Sequence, residues 1–187
     1  FGTINLASAL PQIIGRVTMN GTNGGVPGIV LNGGGIVANG LDLGGGSDNS
    51  TVRGFVLQAF TNAGISIADS AGTTVAGNYI GTDAAGNIAN GNTIGVNVFN
   101  AANTTIGGTT AAYRNIISGN TNIGVNIGGA GSTGTVVQGN YIGTNVLGSG
   151  DLGNVWHGIS VNTVSGVTVG GSVAGAGNLV SGNGSAG

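Results

Sequence analysis

The chain has 187 residues, among them 43 Gly and 24 Asn, and it lacks Cys, Lys and Glu. Three Arg (Arg16, Arg53, Arg114) and five Asp (Asp42, Asp48, Asp69, Asp83, Asp151) leave a formal net charge of -2. This excludes a clustered-cation surface for nucleic acid, a disulfide framework and a thiolate zinc site, and no apolar run is long enough to span a membrane.

In chain order, Thr3-Ile-Asn-Leu6 opens as an apolar-alternating strand. From Leu41 onward the same alternation recurs in Leu41-Asp-Leu43, Ile65-Ser-Ile67, Val96-Asn-Val98, Val125-Asn-Ile127 and Ile159-Ser-Val161, each directly after a Gly. A second strand position runs through Val52, Val75, Ile106, Val137 and Val169, at spacings of 23, 31, 31 and 32 residues. A third marker carries Gly-Asn: Val75-Ala-Gly-Asn78, Ile117-Ser-Gly-Asn120, Val137-Gln-Gly-Asn140 and Val180-Ser-Gly-Asn183. Over these lies a longer repeat of 62 to 63 residues. It returns Gly77–Thr82 as Gly139–Thr144, Thr105–Gly108 as Thr168–Gly171, and Asn115–Asn120 as Asn178–Asn183. A fixed period of this size decides the architecture before any single residue does.

The pattern predicts an all-β chain, a parallel β-solenoid with three short strands per coil and about six coils, forming one domain over residues 1–187. With strands about 4.8 Å apart, the rod is roughly 30 Å long. No segment has helical apolar spacing. Segments Asp83–Asn92, Thr109–Tyr113 and Asn145–Trp156 lengthen single coils and are expected to project at corners from one face. Gly and Asn are expected at corners because both tolerate positive φ. Outward positions should form rows, Thr51, Thr74, Thr105, Val136, Thr168 on one sheet and Asp42, Ser66, Asn97, Asn126, Ser160 on another. Arg53, Ala76, Gly107, Gln138 and Gly170 are the outward neighbours that interrupt any flat, ice-binding type of hydroxyl array.

The strings Gly-Asn-Tyr-Ile-Gly-Thr-Asp83, Asn-Ile-Ile-Ser-Gly-Asn120 and Gly-Val-Asn-Val98 resemble the secreted bacterial right-handed parallel β-helix repeat proteins, a branch of the pectate-lyase-like superfamily. The likeness runs from about Gly40 to the end and more loosely before it. It implies right-handed coils, a segment of a long extracellular or cell-surface chain, and a structural or adhesive role. A start at Phe1 rather than Met fits a processed or excised piece of something longer.

Because that superfamily also contains polysaccharide lyases and hydrolases, the chemistry-bearing residues need weighing. Glycoside chemistry requires carboxylates at a defined separation. Asp42 and Asp69 lie near equivalent strands but at offsets three residues apart, so no catalytic residue is assigned. The adjacent Trp156 and His157 are the candidates for contact with a surface carbohydrate; Tyr79 and Tyr141 occupy matching places and are read as packed rings. Gly44-Gly-Gly-Ser-Asp48 carries a single faint calcium-loop pattern, and no metal or cofactor is expected. Asn20, Asn49, Asn103 and Asn183 open glycosylation acceptor sequences.

Neither end carries an evident cap. The strand at Asn178–Asn183 is not followed by a third strand, and Thr3, Ile4, Asn5 and Leu6, with Leu179 and Val180, are the expected subunit contacts. The expected partner is a second copy added head-to-tail, with Thr3–Leu6 filling the missing third-strand place, or adjoining repeats of a longer chain.

Overall fold

The computed structural model describes residues 2–185; Phe1, Ala186 and Gly187, included in the single-domain reading, lie outside the described residues. The chain is all-β with parallel strands stacked in sheets, and the one helical segment among the described residues is a 3-10 turn at Ala111–Tyr113. No helix among the described residues is long and apolar enough to cross a membrane.

Three long sheets hold nearly all the strands. The first has seven strands, Gly2–Asn5, Ile29–Asn32, Phe55–Gln58, Tyr79–Ile80, Ile116–Ile117, Tyr141–Ile142 and Leu179–Val180. The second has six, Thr18–Asn20, Thr51–Arg53, Thr74–Ala76, Thr105–Gly107, Val136–Gln138 and Thr168–Val169. The third has five, Leu41–Leu43, Ala63–Ala68, Ile94–Phe99, Ile123–Gly128 and Ile159–Asn162. From Thr18 onward the chain visits second, first and third sheets in that order. Each visit lies parallel to and beside the previous one. A small antiparallel ribbon, Thr22–Asn23 with Val26–Pro27, decorates one corner.

The register follows the repeat residue by residue. Val52 pairs with Val75, Val75 with Ile106, Ile106 with Val137 and Val137 with Val169, and Met19 extends the row by one. Asp42, Ser66, Asn97, Asn126 and Ser160 likewise stand side by side in the third sheet. Because side chains alternate across a strand, Leu41 and Leu43, Ile65 and Ile67, Val96 and Val98, and Val125 and Ile127 all turn inward and are buried. At about 1.5 to 3 kcal/mol for each buried Val, Leu or Ile, these rows drive the fold.

Two expectations about the corners need correction. The lengthened segments do not project from one face. Asp83–Asn92 and Asn145–Trp156 leave the corner between first and third sheets, whereas Thr109–Tyr113 leaves the corner between second and first. The last of these folds back over the second sheet, where the Gly77 N–H donates to the Tyr113 carbonyl at 3.1 Å and Arg53 Nη2 to the Ala112 carbonyl at 3.3 Å. That cover explains why Ala76, expected to face outward, is buried; Gly107, also expected outward, is buried against the Gln138 carbonyl and the Asn140 amide. The Gly-Asn marker also proves to be two markers. Asn78 and Asn140 stand at the corner entering the first sheet, Asn120 and Asn183 at the corner leaving it.

Candidate functional site

Each of those corners holds a buried column of Asn side chains. In the first, Asn78 Nδ2 donates to Asn115 Oδ1 at 3.2 Å, Asn115 Nδ2 to Asn140 Oδ1 at 2.9 Å and Asn140 Nδ2 to Asn178 Oδ1 at 3.0 Å. In the second, Asn92 Nδ2 donates to Asn120 Oδ1 at 3.1 Å, then Asn120 to Asn154 and Asn154 to Asn183, each at 2.8 Å. The other Nδ2 proton of each closes on a backbone carbonyl, as from Asn115 to Val75 at 2.9 Å and from Asn154 to Ile117 at 3.1 Å. Buried amides are tolerated only when so satisfied. At the third corner hydroxyls take over. The Ser47 hydroxyl donates to the Gly44 carbonyl at 2.7 Å and lies 2.8 Å from Ser70 Oγ, and Thr104 and Thr135 Oγ1 donate to the carbonyls of Ala101 and Ser132.

The lengthened segments are built on a shared device. Asp83 Oδ1 accepts from the Asn87 and Ile88 N–H groups at 2.8 and 3.0 Å, and Asn145 Oδ1 accepts from Ser149 and Gly150 at 3.2 and 3.0 Å. The Val146 N–H bonds the Gly86 carbonyl at 2.9 Å, tying one segment to the other. Tyr79 and Tyr141 do not pack ring on ring, because Ile116 stands between them in the sheet. Arg114 lies over the Tyr141 ring at 4.1 Å. Burial alone raises the Tyr79 phenol above its ordinary value of 10.0.

The surface candidates are dispersed. Asp42 pairs beside Ser66, and Asp69 comes three residues later, about 10 Å further along the strand direction. Gln12 Nε2 reaches Asp42 Oδ2 at 3.5 Å, while Asp48 Oδ1 accepts from the Ala71 N–H at 2.8 Å and Asp151 Oδ1 from the Gly153 N–H at 3.1 Å. No group of three or more His, Cys, Asp or Glu residues gathers among the described residues. Trp156 is 60% exposed, its ring edge-on to His157 with centroids 5.8 Å apart and planes at 70°. Of the glycosylation acceptors, Asn20, Asn49 and Asn103 are exposed; the Asn183 amide is committed to its column.

At the ends, Gly2–Asn5 pairs with Ile29–Asn32, so this strand stands in the first sheet, the one that Leu179–Val180 closes, and not in the third. The inward rows surface there, with Ile4 at 49%, Val161 at 43% and Val169 at 51% exposed. An apolar cavity of about 370 Å³ opens beside Ile13, Val17, Met19 and Leu41. No family model, curated protein or solved structure matches the chain.

Proposed function

We propose that the chain is a non-enzymatic, right-handed parallel β-helix of about six three-strand coils, serving as a length of rod in an extracellular or cell-surface protein. The observation that carries this reading is the pair of Asn columns. The buried polar side chains at both corners of the first sheet are spent on joining one coil to the next, which stiffens an axis and leaves them no part in chemistry. Asp48, Asp83 and Asp151 are likewise engaged by neighbouring backbone N–H groups. The extracellular setting rests on the resemblance of the repeats to secreted bacterial β-helix chains. The same stack would serve as a fibre subunit if its two end faces were complementary.

A second reading is supported by one observation, the exposed Trp156 ring set against His157, which offers a flat platform for a sugar. Both readings are tested together. Negatively stained particles should be short rods about 30 Å long, and incubation with polygalacturonate and neutral polysaccharides should release no reducing ends. Cleavage that disappears in Asp42→Asn or Asp69→Asn would overturn the first reading. Quenching of the single Trp156 by an oligosaccharide, together with calorimetric binding of that oligosaccharide that Trp156→Ala abolishes, would establish the second.

A further inference from the structure

We infer that the edge formed by Asn178, Leu179, Val180 and Asn183 is a docking edge for one more coil with Asn at both corner columns, and that the opposite edge of a second copy does not fit it. This rests on the structural reading above and names the partner that such a rod accepts.

The columns have a direction. The backbone N–H of Asn78 donates to Asn115 Oδ1 at 2.9 Å, that of Asn115 to Asn140 Oδ1 at 3.3 Å and that of Asn140 to Asn178 Oδ1 at 3.0 Å. The second column repeats this from Asn92 to Asn120 at 3.2 Å, Asn120 to Asn154 at 3.1 Å and Asn154 to Asn183 at 3.2 Å. In every case the acceptor comes from the coil later in sequence. Asn178 and Asn183 supply that acceptor backward, and their Nδ2 groups reach back to the Val137 and Ile142 carbonyls at 2.8 and 3.2 Å. Among the described residues nothing accepts from their own backbone N–H groups. The half-exposed Val161 and Val169 stand on the same side and require apolar cover. The matching occupant therefore carries two Asn, spelled Asn-x-x-x-x-Asn as at Asn115/Asn120, or with a longer loop as at Asn140/Asn154.

The opposite edge lacks this chemistry. Traced backward, the first column passes from Asn78 through Phe55, whose N–H donates to Asn78 Oδ1 at 3.0 Å, to Ile29 and then Gly2. The second passes from Asn92 through Phe60, with the same bond at 3.0 Å, to Val37, which accepts from the Thr61 N–H as Phe60 accepts from Thr93. Laid on Leu179–Val180, the strand Gly2–Asn5 would bring Gly2 to Asn178 and offer its N–H no side-chain acceptor. Head-to-tail stacking thus leaves buried donors unpaired.

The test extends the full chain after Gly187 with an added copy of residues 125–162. This keeps the phase, since Ser185 N bonds the Trp156 carbonyl as Trp156 N bonds that of Asn122. Amide exchange at Asn178 and Asn183 should slow about 100-fold. A second extension carries Asn140→Phe and Asn154→Phe in the added copy only, mimicking Phe55 and Phe60. It should protect the Val180 amide yet leave Asn178 and Asn183 exchanging as in the unextended chain. Equal protection by both extensions, no protection by either, or head-to-tail filaments of the unextended chain would overturn the inference. Cleavage of a polysaccharide would overturn the structural reading while leaving these exchange rates unchanged.

Discussion

Asn115 Nδ2 donates to Asn140 Oδ1 at 2.9 Å, joining residues 25 apart in sequence across a single strand step. The same Asn115 accepts the Asn78 N–H and donates to the Val75 carbonyl, so one side chain links three successive strands of the stack. Both partners are fully buried, which makes the link hard to replace by water.

Truncating Asn115 to Ala leaves the Asn78 N–H and one Nδ2 proton of Asn78 without an acceptor in the interior. Each orphaned buried group costs about 1 to 3 kcal/mol, so Asn115→Ala should destabilise by roughly 3 kcal/mol or more. Asn183→Ala, at the partly exposed end of its column, should cost about 1 kcal/mol. Urea denaturation followed by circular dichroism checks both. Equal effects at the two sites would show that the columns add little to burial alone.

The strands and their register were legible because β-branched residues recur at fixed spacing, and the Val52 to Val169 row survives intact in the structure. The Asn columns were not. Gly-Asn pointed to residues that accept positive φ, but it is the preceding Gly77, Gly119, Gly139 and Gly182 that take it, while the Asn bonds along the axis. Four further members, Asn92, Asn115, Asn154 and Asn178, lie outside the marker strings. Asn115 follows Arg114, and Asn92 closes a lengthened segment whose extra residues hide its equivalence to Asn120. The clue lay in the second Asn of each block, Asn115 paired with Asn120 and Asn178 with Asn183. Of the surface candidates, proximity in sequence kept Trp156 and His157 together, whereas Asp42 and Asp69 required a register that their offset denies.

Gly107 has φ of +91°, and a Cβ there would fall on the Gln138 carbonyl and the Asn140 amide. Gly107→Ala should therefore destabilise by about 3 kcal/mol, combining left-handed backbone strain with displacement of a column Asn. Gly24 has φ of +59° but open space around it, so Gly24→Ala should cost only about 1 kcal/mol. Thermal melts of the two variants give the comparison, and similar losses would contradict the packing argument.

Asp83 and Asn145 perform one task with different side chains, so Asp83→Asn should hold its segment as well as the native residue does, within about 0.5 kcal/mol. Asp83→Ala should instead release the Asn87 and Ile88 N–H groups, raising their exchange rates about tenfold while costing the whole protein only about 1 kcal/mol. Hydrogen exchange by NMR distinguishes these outcomes. Release of the same amides in Asp83→Asn would mean that the carboxylate charge, not its oxygen, holds the turn.

Tyr79 adds an alkaline pH dependence to the stability of the fold. Desolvation by burial raises its phenol above 10.0, so the folded protein resists ionising it while the unfolded chain does not. Below pH 10 the phenol is neutral in both states and contributes no slope. As pH rises past that value the unfolded chain ionises first, and stability falls until the folded phenol ionises as well. Tyr79→Phe should leave the urea midpoint near pH 7 almost unchanged and lessen the loss measured at pH 11. An alkaline decline that is the same in Tyr79→Phe would assign it to other groups.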